Sequence, residues 1–561
     1  MNSKQSSRRH KDRNSGAAAP GGFFSNTATR ETVESIVIAF ILAFLFRAFE
    51  AEAFVIPTGS MAPTLQGRHK DVNCAECGHN FRSSASQENR DGRRDPIIVQ
   101  TAVCPMCGYV MDVRGRAQDN DHGRAEYTYN GDRIIVTKFA YEFNEPERWD
   151  VIVFKYPGNA KMNYIKRLVG LPNETVKIFR GDIFTAPHDD DDERSDDFTI
   201  ARKQPTKLLA MLQLVHDNQH YSMKLLNAGW PASWQPWDDE AGRPNEWTNV
   251  VDPDAKLPSQ GKQTLRIEPS GDHDQWIRYQ HYFADDGNWT AAEGERQTSP
   301  NEQLTIGDYY AYNQSWPPVD PREQNRNPNW VGDLVVECDV EVLSGEGELL
   351  LELREGGRTF QCVIDVATGE ATLGIDGGEV PFEAMEGTAA NSRPVAQTSV
   401  KGTGRYQLRF SNCDDQLLLW VDDHVVDFDG PTGYSPLDNH ERHDSDFAPI
   451  GIGSHGVAVE LHQLRVRRDV YYVPIRSNVG VQFDMVDRGQ SVSFPMGEDQ
   501  FLVLGDNSPQ SKDSRLWEAE GFGHYVPRDL LIGKALFIYW PHSRRDVFPF
   551  CPNFQSMKFV R

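Results

Sequence analysis

Residues 163–179 read NYIKRLVGLPNETVKIF, and the two stretches before them read GDRIIVTKFAY (131–141) and DVIVFKYP (150–157). Short β-branched and apolar runs bounded by Gly, Pro and Asn are strand signals. On a strand, Tyr164 and Lys166 share one face while Ile165 and Arg167 share the other. Two adjacent cations among Ile165, Leu168 and Val169 are unusual in a strand this apolar. The β character resumes in VQFDMV (481–486), QSVSFP (490–495) and QFLVLGDNS (500–508), and the pattern closes with LLIGKALFIYWP (530–541). The chain is therefore expected to be mainly β.

Between these stretches lies a different sequence. Residues 186–470 are acidic and rich in tryptophan, and 188–197 read HDDDDERSDD, a solvated run. In DLVVECDVEV (333–342), Val336, Cys338, Val340 and Val342 alternate with acids, the pattern of a strand with one wet face. Similar runs recur through LWVDDHVVDF (419–428) to residue 468. They describe an antiparallel sandwich over about 330–470. The stretch resembles the concanavalin-like jelly rolls.

The 561 residues are enough for three or four domains. Acids outnumber bases 82 to 58, a net charge of −24, which argues against nucleic acid as a partner. The charge is uneven, because residues 1–30 hold Lys4, Arg8, Arg9, Lys11, Arg13 and Arg30 against Asp12 alone. That segment is expected to be a disordered basic tail. The apolar run Ile36–Phe46 that follows has only 11 residues. Thr32–Phe49 spans a bilayer if Glu34 and Arg47 snorkel. With the basic tail on the cytoplasmic side, residues 31–50 are expected to be a single transmembrane anchor. A cleaved signal is the alternative, because Ala51-Glu52-Ala53 is close to a small-residue cleavage site.

Three segments carry chemistry. Thr58-Gly59-Ser60-Met61-Ala62-Pro63-Thr64 holds a serine in a turn. A serine hydroxyl becomes a nucleophile only when a base takes its proton. Lys166 is the candidate base. To work near neutral pH its pKa must fall by about three, a change of about 4 kcal/mol, which desolvation can supply. The third segment, GDNSPQSKDSR (505–515), follows an apolar strand and offers hydroxyls and an Asp/Arg pair.

In this order the three segments resemble the boxes of bacterial type I signal peptidases, the membrane-bound Ser/Lys peptidases. The likeness covers about 31–72, 125–185 and 471–545. It implies a nucleophile at Ser60 and a general base at Lys166. The Ser60 N–H and the Thr58 hydroxyl match oxyanion-hole donors. Ser511 matches the residue that orients the lysine, and Asp513 and Arg515 match an ion pair beneath it. Phe54, Ile56, Pro57, Tyr164 and Ile165 match the strands that bracket a signal peptide bound as an added β-strand. The family usually reads GDNRDNSxDSR where this chain has Ser508-Pro509-Gln510. The resemblance implies no cofactor for catalysis. It implies secretory preproteins and membrane lipid as partners, and an extracytoplasmic catalytic domain on the cytoplasmic membrane.

A further motif is CAECGH (74–79) with CPMCG (104–108), two CxxC knuckles separated by 26 residues. The spacing predicts a zinc ribbon with Cys74, Cys77, Cys104 and Cys107 as ligands. Two disulfide-bonded pairs or free thiols are the alternative. The remaining cysteines, Cys338, Cys362, Cys413 and Cys551, are scattered, and the first three are expected as buried free thiols in strands.

The expected organisation is a catalytic core from 51–71, 116–185 and 471–545. It is interrupted by a ribbon-like insert at 72–115 and by the 186–470 insert, with a tail at 546–561. The sequence does not reveal what the large insert binds. Two other functions compete. One is a self-cleaving repressor with the same dyad, which would need a helix-turn-helix and leaves the anchor unexplained. The other is a weak or inactive peptidase core that displays a carbohydrate- or protein-binding sandwich.

Overall fold

The computed structural model describes residues 31–41, 51–88, 99–114, 128–188, 198–237, 245–251, 263–268, 273–313, 329–384, 387, 389–436, 441–476, 487–488, 491–542 and 553–561. The chain divides into Met1–Glu52 and Ala53–Arg561. In the first unit, residues 31–41 are helical and exposed. Residues 42–50, the rest of the expected anchor, and the expected basic tail at 1–30 lie outside the described residues. Among the described residues, no helix is long and apolar enough to cross a membrane.

The second unit is mainly β, as the alternation and turn signals require. Its core is an 8-stranded sheet in the order Ala51–Val55, Arg133–Thr137, Leu531–Trp540, Val151–Tyr156, Asn159–Gly170, Gln500–Leu504 and Val526–Pro527. Lys558–Phe559 adds to Leu531–Trp540 through Phe537 and Phe559. The segment expected as a tail therefore contributes a strand to the core. A 4-stranded sheet has the order Thr199–Ile200, Asp182–Pro187, Glu174–Phe179 and Ser491–Pro495. One cluster of buried side chains, including Val169, Val176, Ile178, Phe494, Leu502 and Leu504, joins the two sheets.

The sandwich has sheets of 8 and 7 strands. Their facing sides form one large core that includes Val336, Cys338, Val340, Leu351, Phe360, Leu408, Leu419, Ile452 and Leu464. Cys338, Cys362 and Cys413 are buried free thiols, as expected, while Cys551 lies outside the described residues. The sandwich begins earlier than expected. Gln213–Asp217, Thr248–Val251 and Gln263–Ile267 join one sheet, and Trp234–Trp237 and Gln275–Tyr279 join the other. Gln275–Tyr279 is buried at every position, so no alternation marks it.

The cysteine segment does not stand alone either. The helix Met223–Asn227 with its C-cap Ala228, and the helix Asp286–Glu293, bring Leu225, Ala228, Trp289 and Ala292 into the cluster that holds the four cysteines. The Trp289 indole N–H donates to the Cys107 carbonyl at 2.9 Å. The two inserts expected as separate modules thus share a core.

Candidate active site

Ser60 sits in the short 3-10 turn Gly59–Met61, entered from an extended Thr58 (φ −125°, ψ 156°). Lys166 belongs to the long strand Asn159–Gly170. Both side chains are buried, and Lys166 Nζ lies 2.7 Å from Ser60 Oγ. Nζ also donates to the Ile165 carbonyl at 3.1 Å. Tyr164, on the same strand face, has its ring centroid 5.6 Å from Nζ. Burial brings the Lys166 pKa down to about 8, against the opposing pull of Asp513 and Asp506. An ammonium loses most of its hydration there, so the neutral amine gains.

Each of the two carboxylates has its own cation. Asp506 takes a bidentate bond from Arg167, at 2.6 Å from Nε and 2.7 Å from the second terminal nitrogen, with both side chains fully buried. Thr64 Oγ1 donates to Asp506 Oδ2 at 2.5 Å. Arg167 points away from Lys166, as the strand alternation predicts. Asp513 is held by Arg515 at 2.8 Å on each oxygen and accepts the Gly505 N–H at 3.0 Å. Arg515 also ties down Ser508 through its hydroxyl and its carbonyl, both at 2.8 Å. Ser508 is therefore one of the anchors of the altered loop.

Ser511 is placed differently from the expectation. Its Oγ is buried and has no hydrogen-bond partner among the described residues, while Lys166 Nζ donates to Ser60 Oγ and the Ile165 carbonyl. Ser511 packs against Gly505, where a Cβ would stand 2.2 Å from Ser511 Oγ and 2.4 Å from the Ser60 carbonyl oxygen. The exposed Thr58 does not use its hydroxyl to cap the turn. Ile56 is 2% exposed and packs inward with Met61 and Leu65, while Phe54 is half-buried and Pro57 exposed.

The sequence did not point to the residues that brace the turn. Asn507 donates its backbone N–H to the Ser60 carbonyl at 3.1 Å and its amide N–H to the Gly59 carbonyl at 2.9 Å. Its amide also exchanges bonds of 2.6 and 2.7 Å with Asn313, a residue of the large insert. Tyr312 closes on Gly59, where a Cβ would lie 2.2 Å from the tyrosine ring. From the cysteine segment, Ser86 Oγ accepts the Gly59 N–H at 3.2 Å. Both inserts therefore reach the serine turn. Only the pairing of GDN with TGS by resemblance could have suggested the Asn507 contact.

Two strand edges flank this turn. Ala51–Val55 ends the sheet order. On Asn159–Gly170, the strand Gln500–Leu504 pairs only with Arg167, Leu168 and Gly170. Tyr164 and Ile165 pair on one side, with Phe154 and Val153, and no described strand covers their other side.

Cys74, Cys77, Cys104 and Cys107 are buried, with their sulfurs within 4.8 Å of one another. Cys74 and Cys107 Sγ are 3.6 Å apart, and Cys77 and Cys104 Sγ are 3.5 Å apart. Four thiolates on one zinc at about 2.3 Å would stand about 3.8 Å apart. Each knuckle turns alike: the Gly78 and Gly108 N–H groups donate to Cys74 and Cys104 carbonyls at 3.0 and 2.9 Å. Both glycines have left-handed φ, 68° and 71°. The near pairs join opposite knuckles and are not at disulfide length. The donor set fits a tetrahedral zinc.

The family model described as signal peptidase, peptidase S26, matches residues 102–220 and 450–540. The chain is similar to signal peptidase I of Pseudomonas aeruginosa, 46% identical over 59 residues, 8% of this chain and 21% of that protein. The signal peptidase I of Aquifex aeolicus is 47% identical over 49 residues, 9% of this chain and 19% of its own. That of Rickettsia massiliae is 24% identical over 203 residues, 36% of this chain and 59% of its own. The chain thus spans about a fifth of the relatives it matches at the higher identities. A carbohydrate-binding module of Bacillus subtilis aligns over 39% of this chain and 94% of its own at 10% identity, with a TM-score of 0.19, too slight to carry an argument.

Proposed function

We propose, from a core that resembles the signal peptidases, that this chain is a type I signal peptidase acting through Ser60 and Lys166. The observation that carries this is the contact of 2.7 Å between the serine hydroxyl and a buried lysine whose pKa falls to about 8. Neutral Lys166 takes the Ser60 proton as Oγ attacks the scissile carbonyl, and later returns it to the leaving amine. The Ser60 N–H and the Thr58 hydroxyl receive the developing oxyanion. Arg167–Asp506 ties the 505–515 loop to the lysine's strand, and Asp513–Arg515 braces that loop from within. Ser511 serves as a small packed spacer beside Ser60, and its hydroxyl is available to a lysine that moves during the reaction.

The substrate is a secretory preprotein bound as an extended strand along Tyr164 and Ile165, with Phe54 and Pro57 on the other side. Small side chains before the cut are expected there, as the resemblance to the signal peptidases implies. The apolar helix at 31–41 leads a membrane anchor that extends through residue 50. Its exposed Ile36, Ile38 and Phe40 suit lipid contact. The cysteine site holds one structural zinc, because four protein ligands leave no position for water.

Incubating the full chain with a preprotein in detergent tests the reading. Cleavage after a small residue, lost in Ser60→Ala, is expected. Equal cleavage by both proteins would refute it.

A further inference from the structure

Beside the serine turn, a cluster remains that the peptidase chemistry does not use. His69 and Asp71 lie on the strand His69–Asn73, and His542 follows the strand Leu531–Trp540. Their ring nitrogens and carboxylate oxygen come within 4.8 Å of one another. His69 Nε2 is 3.5 Å from Asp71 Oδ1, and His542 Nε2 is 2.8 Å from Asp71 Oδ2. His69 is 0% exposed and His542 is 8% exposed.

The tautomer of His69 follows from its neighbours. Its Nδ1 lies 2.7 Å from the Gly67 carbonyl, which can only accept, so Nδ1 carries the proton. Nε2 of the neutral ring is then a lone pair, buried and without a hydrogen-bond partner among the described residues. It faces a carboxylate oxygen at 3.5 Å, too far for the charge-assisted bond of about 2.7–2.9 Å that a protonated ring would make. Two lone pairs facing each other repel, although the Asp71 side chain is 41% exposed, and an intervening cation resolves them. His542 has a related problem, because its Nδ1 is buried and unpartnered among the described residues.

An Nδ1–H fixed on a backbone carbonyl, with Nε2 left open, is how proteins orient histidine ligands. Nitrogen and oxygen donors at about 2.1 Å around a tetrahedral ion stand about 3.4 Å apart. The His69–Asp71 separation is close to that value, whereas His542 Nε2 at 2.8 Å from Asp71 Oδ2 stands at hydrogen-bond distance and draws back when an ion enters. Tyr129 packs on both rings, with centroids 5.9 Å from His69 and 4.6 Å from His542, and limits their rotation.

We propose that His69, Asp71 and His542 form a second metal site, separate from the four cysteines, for a first-row divalent ion of the zinc class. Two imidazoles and one carboxylate suit such ions, whereas calcium and magnesium need more oxygen donors. Arg82 Nε also binds Asp71 Oδ1, at 3.2 Å. The carboxylate has lone pairs for both, and the nearby guanidinium makes this site weaker than the tetrathiolate. The site also bears on the serine turn. Gly67, which fixes His69, packs so closely that a Cβ there would lie 2.1 Å from the Thr58 carbonyl carbon and 2.4 Å from the Gly59 nitrogen. The ion clamps the end of a core strand to the backbone that supports Ser60.

Cobalt loading of the full chain tests this. Wild type should bind two ions, with an intense thiolate charge-transfer band from the cysteine site and weak visible bands from the nitrogen–oxygen site. His542→Ala and Asp71→Asn should each lose one ion and the weak bands while keeping the thiolate band. That retained band reports an intact fold in the variants. Cys74→Ser should do the reverse. A wild-type chain that binds one ion with the thiolate band alone, or His542→Ala with unchanged metal content, would overturn the proposal.

Discussion

Lys166 and Lys203 are both buried, and the structure treats them oppositely. Lys203 stands between Asp414 and Asp469, at 2.6 and 2.8 Å, where the core meets the sandwich. Burial alone would lower its pKa, but the two carboxylates hold its ammonium well above the ordinary value. Lys166 meets a hydroxyl and a carbonyl instead, and the nearby carboxylates are already paired with Arg167 and Arg515. Its pKa falls to about 8 because desolvation goes unopposed at contact distance. Burial makes a base only where the charge is not held by a contacting carboxylate.

The largest effect should come from removing the base. Lys166→Ala is expected to lower preprotein cleavage by about 10²–10⁴-fold with the fold intact, measured as kcat/KM beside a circular-dichroism melt. The same substitution at the other lysine should act on stability. Lys203→Ala leaves buried carboxylates without a cation, at a cost of about 3–5 kcal/mol, read from a urea melt. Because the folded-state pKa of Lys203 is raised, its contribution is fully present below the ordinary lysine pKa and is lost only as pH rises beyond it. A stable Lys203→Ala would break the comparison.

Thr58→Val removes one oxyanion donor and should cost about 10²–10³ in kcat with little change in KM. Thr58→Ser should be mild. Smallest is Asn313→Leu. It leaves the Asn507 amide short of a partner, at about 1–3 kcal/mol, and should lower kcat roughly tenfold or more without moving the pH profile. That result would show the sandwich insert as part of the serine scaffold. Replacing residues 200–465 with a linker would for the same reason reduce activity, because Tyr312 and Asn313 go with it.

The Lys166 strand was readable because alternation separates Tyr164 and Lys166 from Arg167, and the serine turn because Gly and Pro punctuate it. Asn313 and Tyr312 carry no local signal, since their role arises only when the insert folds back on Gly59. The early sandwich strands were hidden for another reason. Arg278 reads as a surface residue, yet it is fully buried and paired with Glu352 at 2.5 Å. A neutralised charge inside a sheet erases the pattern that marks a strand.

The most direct test is the pH dependence of kcat/KM on a preprotein substrate. Lys166 must be neutral to accept the serine proton, so the rate should climb tenfold per pH unit at low pH and level off above about pH 8. A rate that stays flat from acid to mildly alkaline pH would contradict a lysine base.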